Sequence, residues 1–131
     1  MIAGIGTDIV EIERIRAAVN KWGDTFLKRI FSESEISYCF SKRDPCPNLS
    51  GRFAVKEAAV KALSGVINGR NIYVRDIEVM NGPSGKPYIV LAEDIESLID
   101  DTIILHISLS HERSYALATV IVEKKRLASP F

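Results

Sequence analysis

GRFAVKEAAVKALSG, residues 51–65, reads as a helix that is apolar around almost its whole circumference. At about 100° per residue, Phe53, Ala54, Val55, Ala58, Ala59, Val60, Ala62 and Leu63 leave no polar side. Such a helix is buried. It is expected over 49–64, with Gly65 as its C-terminal cap. Yet Arg52, Lys56, Glu57 and Lys61 interrupt it. Charges on a buried helix must be paired, ligated or placed at a site, because stripping their water is costly. Glu57 and Lys61 have the i,i+4 spacing of a simple ion pair, but that pair leaves Arg52 and Lys56 without an account. The alanines also thin the helix, so that another element or a ligand can come near. A functional site on this helix is the favoured reading.

Upstream, residues 2–11 are apolar and β-rich and read as a buried strand. Strand alternation puts Gly4, Gly6 and Asp8 on one face, where two glycines leave room beside a carboxylate. Asp8 as a mere turn cap or lysine partner is the plainer alternative. From Ile12 the period becomes helical: Ile12, Ile15, Val19 and Trp22 form an apolar stripe. Arg14 and Lys21 lie opposite it, Arg16 lies on a flank, and Lys28 and Arg29 follow. Such a face is ordinarily just solvated; if functional, it would dock an acidic protein surface. Ser32 and Glu35 form a capping-box signature for a short helix to about Phe40, and SKRDPCPN (41–48) is a loop.

Downstream, Ile72–Met80 alternates as a strand, NGPSGKP is a turn, and Pro87–Leu91 returns. Ala92–Asp101 reads as helical. Ile103–Ser110 and Tyr115–Glu123 form a hairpin through HERS. The tail KKRLASPF (124–131) is expected to fray. The fold class is α+β: a single domain over residues 1–123, with a mainly antiparallel sheet against a long central helix.

At 131 residues the chain fits one compact domain. Seventeen basic and seventeen acidic residues exclude a global field that would draw it to nucleic acid or membrane. Cys39 and Cys46 lack metal-ligand spacing and read as free thiols of a reducing cytoplasm. The start MIAGIGTDIVEIERI lacks a signal-peptide pattern, and no stretch is apolar enough to span a bilayer. A cytosolic protein is expected.

Asp8 and Glu57 together suit magnesium, a hard ion that takes carboxylate, phosphate and water oxygens. Lys61, one turn beyond Glu57, would then neutralise a bridged phosphate. His106 and His111 are five apart, which points them to opposite strand faces and makes them a poor metal pair. No GxSxG elbow surrounds Ser108 or Ser110, which argues against a serine hydrolase. His111 sits at the hairpin turn, where ligand contact is plausible; a role for Lys86 in gripping phosphate is weaker than its turn reading.

GIGTDIVEIERI, RFAVKEAAVKAL, GKPY and HISLSHERSYALATVIVE resemble the holo-acyl-carrier-protein synthases of the 4′-phosphopantetheinyl transferase superfamily. That superfamily pairs a G-x-D element, here Gly6–Thr7–Asp8, with a K-E-x-x-x-K element, here Lys56–Glu57 through Lys61. The resemblance runs from about residue 2 to 123 and implies the 4′-phosphopantetheinyl transferase fold. It implies that Asp8 and Glu57 hold Mg²⁺ against the pyrophosphate of coenzyme A, the substrate, and that Lys61 balances that charge. Arg52, Lys86 and His111 would help bind the 3′-phosphoadenosine end. Glu57 is also implied as an acceptor of the serine proton, directly or through water.

The implied product is holo-acyl carrier protein, with 3′,5′-ADP released, in support of fatty acid biosynthesis. The implied assembly is a homotrimer with sites between subunits, whose basic helix around Arg14 and Lys21 receives apo-acyl carrier protein. Two rivals stand beside this: a magnesium-dependent hydrolase of a diphosphate ligand, and a non-catalytic trimeric carrier-protein-binding module.

Overall fold

The computed structural model describes residues 1–126. In chain order it holds β1 (Ile2–Glu11), α1 (Ile12–Trp22), α2 (Asp24–Ile30), α3 (Glu33–Phe40) and α4 (Cys46–Leu63). A short 3₁₀ turn (Val74–Asp76), β2 (Ile77–Asn81), β3 (Pro87–Leu91), α5 (Glu93–Glu96), β4 (Ile103–His111) and β5 (Tyr115–Lys124) follow. The strands form two antiparallel sheets, β1-β5-β4 and β2-β3. This is the α+β architecture with a long central helix, as expected.

The apolar character of α4 is explained by its position. Leu49, Ala54, Val55, Ala58, Ala59, Ala62 and Leu63 are buried in a core shared with Val10, Ala118, Val120 and Val122 of the three-stranded sheet and Ile77 and Val79 of the hairpin. The two-residue period of the sheet supplies its inner face.

Strand β1 is half-buried, not buried throughout: Ile5 and Ile9 are each 63 % exposed on its outer face. It is an edge strand, and its glycine face lies on α4. The stripe on α1 stops short, because Trp22 ends the helix 57 % exposed. Gly23, with φ 54°, turns the chain into α2 there.

Helix α4 begins at Cys46, not 49. Asp44 Oδ1 accepts from the Cys46 amide at 3.1 Å, and Pro47 sits in the first turn, where no intrahelical donor is needed. Its end needs no glycine cap. Ser64 closes it in helical conformation, the Val66 and Ile67 amides both donate to Leu63 O, and Gly65 does not adopt a positive φ.

Two further expectations are shortened by side chains that bond the backbone and compete with regular structure. Asp76 accepts from Tyr73 N at 2.9 Å and draws 74–76 into the 3₁₀ turn, so the strand expected from Ile72 starts at Ile77. Ser97 Oγ donates to Asp94 O and Asp100 Oδ1 accepts from Thr102 N, so the helix expected over Ala92–Asp101 is only Glu93–Glu96.

The capping box Ser32–Glu35 and the β4–β5 hairpin are present. Strand β5 includes Lys124, whose carbonyl accepts from the Met1 ammonium at 2.9 Å. The expected tail beyond residue 126 lies outside the described residues. Cys39 and Cys46 are buried free thiols, and burial pushes Cys39 up to about 11.

Candidate active site

The glycines of β1 exist for a backbone. A Cβ on Gly4 would stand 2.0 Å from Ala62 O, and one on Gly6 the same distance from Ala58 O. The room beside Asp8 is therefore filled by α4, which lies flat on β1 because both partners lack bulk. This contact carries Glu57 and Lys61 to Asp8. Lys61 Nζ donates to Thr7 O at 3.0 Å and to Asp8 Oδ1 at 3.3 Å, so it reaches across to the strand and not back to Glu57 as an i,i+4 pair. The Glu57 carboxyl is raised above its ordinary value, first by burial and then by the Asp8 charge, with Lys61 opposing. Two carboxylates close enough to feel each other, beside one lysine, form an acidic corner open to a cation.

The donor set fits a hard divalent ion. Among the described residues no group of three or more His, Cys, Asp or Glu side chains gathers, so a closed zinc site is not built. Two carboxylates suit magnesium, which keeps waters and completes its shell with substrate phosphate.

Arg52, Asn81, Leu109 and His111 line a second cavity of about 190 Å³. Arg52 is only 4 % exposed. Its guanidinium carbon lies 4.2 Å from the Tyr38 ring centroid, its Nη2 donates to Asn81 Oδ1, and its Nε has no partner among the described residues. Lys86 is exposed and lines the neighbouring groove between β3 and β4, which shares Pro87 with this cavity. His111 is thus brought to Arg52, and Lys86 to the cavity's edge. At 3.6 residues per turn Arg52 and Glu57 point about 140° apart on α4, so the two halves of the site face different ways.

Sequence reasoning left Lys56 unassigned. It is 1 % exposed, paired with Glu35 at 2.8 Å, and donates to Ile77 O. The Glu35 carboxylate also accepts from Ser32 N at 2.8 Å and Val79 N at 2.9 Å. Burial lowers the Lys56 ammonium, against the pull of Glu35. This pair fastens α3, α4 and β2 together. Tyr38 and Asn81 carried no signal in sequence. On α1, Arg16 is engaged by Asp44 (2.8 and 3.0 Å) and Glu13 (3.2 Å); Arg14 and Lys21 are exposed. His106 binds Glu123 at 2.8 Å on the outer sheet face and lines the same groove as Lys86, but not the cavity that holds Arg52 and His111.

The family model of the 4′-phosphopantetheinyl transferase superfamily matches residues 4–120. The chain belongs to that superfamily. Within it, the similar proteins are holo-[acyl-carrier-protein] synthases. That of Halothermothrix orenii is 43 % identical over 95 % of this chain and 99 % of its own. That of Chlamydia muridarum is 46 % identical over 92 % and 94 %. Among solved structures, the Neisseria meningitidis synthase superposes with a TM-score of 0.81 at 33 % identity, covering 95 % of this chain and all of that one. The Helicobacter pylori synthase, solved with coenzyme A, gives 0.75 at 36 % identity, covering 91 % and 99 %.

Proposed function

We propose that this chain transfers the 4′-phosphopantetheine group of coenzyme A to a serine of apo-acyl carrier protein, releasing 3′,5′-ADP, in support of fatty acid biosynthesis. The observation that carries the reading is the contact of α4 with β1, which sets Glu57 and Lys61 against Asp8 in a chain of this superfamily. Asp8 and Glu57 would hold Mg²⁺, and the ion would supply charge neutralisation on the pyrophosphate. Lys61 moves from Asp8 to the phosphate and steadies the negative charge that grows on the leaving group. The serine oxygen forms a bond to the phosphorus that bears pantetheine, the bond to the 3′,5′-ADP oxygen breaks, and Glu57 accepts the serine proton. Arg52, His111 and Lys86 hold the 3′-phosphoadenosine end.

The partner readings belong to the same proposal. Arg14 and Lys21, exposed on α1, receive the acidic carrier protein. A homotrimer with sites between subunits is supported by the outer face of the three-stranded sheet, where exposed Ile5, Ile9 and Leu117 form an apolar stripe. It is supported too by the divergence of the two halves of the site, which a neighbouring copy would reunite. No helix of the described residues is long and apolar enough to cross a membrane; a cytoplasmic location goes with the carrier-protein substrate.

The test is mass spectrometry of apo-acyl carrier protein incubated with this protein, coenzyme A and magnesium. A mass gain of one phosphopantetheine on the carrier serine is expected. Consumption of coenzyme A without that gain would favour a diphosphate hydrolase, and carrier binding without turnover a binding module; either would overturn the proposal.

A further inference from the structure

Arg52 differs from the other arginines that are held in place. Arg16 is matched by Asp44 and Glu13, and Arg70 by Asp76 and Asp94. Arg52, more buried than either, makes no ion pair among the described residues. What holds it is neutral: the Tyr38 ring on one face and the Asn81 amide oxygen at Nη2. The same Asn81 turns its Nδ2 to Gly85 O at 2.9 Å, so one side chain joins the guanidinium to the turn that carries Lys86. Asn81 closes β2 opposite Pro87, and all of these groups except Lys86 line the 190 Å³ cavity with His111. An uncompensated buried cation is costly. An asparagine at this position orients the guanidinium and leaves its charge unspent, where an aspartate would have cancelled it. The cavity is organised for an anion that arrives with the ligand.

We propose that Asn81, with Tyr38 behind the guanidinium, is a positioning residue that aims Arg52 at the 3′-phosphate of coenzyme A. It thereby selects coenzyme A over the analogue with a 3′-hydroxyl. This rests on the assignment of Arg52 to the 3′-phosphoadenosine end, and the experiment separates the two.

Calorimetry measures the dissociation constants of coenzyme A and 3′-dephospho-coenzyme A for the wild type, Asn81→Ala, Asn81→Asp, Tyr38→Leu and Arg52→Ala, with kcat for transfer and thermal unfolding alongside. Loss of one hydrogen bond to a charged group predicts that Asn81→Ala weakens coenzyme A about tenfold. Its affinity for the dephospho compound and its kcat stay within about twofold. Asn81→Asp keeps the acceptor but neutralises the cation, so it loses the preference as well, and it serves where Asn81→Ala unfolds. Tyr38→Leu lowers the preference in the same direction.

If Arg52→Ala abolishes the preference and both Asn81 variants retain it, the positioning role is wrong and the Arg52 assignment stands. If Arg52→Ala retains it, the assignment itself fails and the proposal with it. Equal weakening of both ligands in Asn81→Ala, a fall in kcat, or unfolding of both Asn81 variants makes Asn81 a structural residue and overturns the proposal.

Discussion

Replacing Gly6 by alanine tests the link between packing and chemistry with one methyl group. Its Cβ would stand 2.0 Å from Ala58 O and 2.9 Å from both Ala62 N and Lys61 Cβ, where ordinary contact begins near 3.4 Å. The carbonyl must retreat by about 1.4 Å, and it cannot rotate aside without losing its bond to the Ala62 amide in the α4 ladder. Helix and strand therefore separate as bodies. Overpacking of this kind costs about 1–3 kcal/mol, and a rigid backbone target puts Gly6→Ala near the upper end. For a chain of this size that lowers Tm by roughly 10 °C. The separation also moves Glu57 and Lys61 away from Asp8, and a misplacement of about 1 Å can cost on the order of a hundredfold in rate.

The assays are urea unfolding, single-turnover transfer to apo-acyl carrier protein, and magnesium titration by calorimetry. Gly65→Ala is the control: nothing lies within 4 Å of its Cβ and its φ is not positive, so stability should be unchanged or slightly raised. A Gly6→Ala protein within about 0.5 kcal/mol of wild type and with the wild-type rate would refute the reasoning; that margin is what an unobstructed surface substitution shows.

In single-turnover transfer, Glu57→Gln should lose most activity and weaken magnesium binding. Lys61→Met should slow transfer while magnesium binding survives, and near-normal rates in both folded variants would end the catalytic reading. Without metal, the raised Glu57 carboxyl contributes stability that is present below its unfolded value and lost as pH rises through its folded value. Glu57→Gln should therefore be more stable than wild type at neutral pH in unfolding curves, with the difference closing toward pH 4; a constant difference would contradict the shift. Glu35→Ala leaves Lys56 buried without its partner and should cost about 3–5 kcal/mol in urea unfolding, and a loss below ~1 kcal/mol would show the pair to be dispensable. Arg14→Glu should raise the KM for carrier protein and spare that for coenzyme A; an unchanged carrier KM with unchanged salt dependence would return α1 to an ordinary solvated surface.

The central helix was legible because all-round apolarity has few explanations, and the hairpins because strand alternation and turn residues agree. Gly4 and Gly6 announce a close neighbour without saying whether it is a ligand or Ala58 and Ala62. The capping-box spacing accounts for one oxygen of Glu35. The other binds Val79 N, and sequence spacing gives no hint of a partner 44 residues away. The buried Lys56 was the available signal, since such a charge requires a counterion somewhere. Asn81 looked like one more turn residue, because the turn it joins explains an asparagine by itself. Periodicity places Trp22 on the apolar stripe, yet the residue is exposed, because the stripe ends where Gly23 bends the chain.

The pairing of β1 with β5 sets a clock on synthesis. Asp8 faces Ala118 across that pair, and at about 5–20 residues per second the ribosome needs on the order of ten seconds to travel from one to the other. Through the second half of that interval α4 is already made and can settle on the glycines, while β1 waits with an open edge that any other strand could take. A nascent chain interrupted before Tyr115 holds Asp8, Glu57 and Lys61 yet lacks the strand that fixes the first of them. Every delay between residues 63 and 115 lengthens the time in which β1 can pair with the wrong chain.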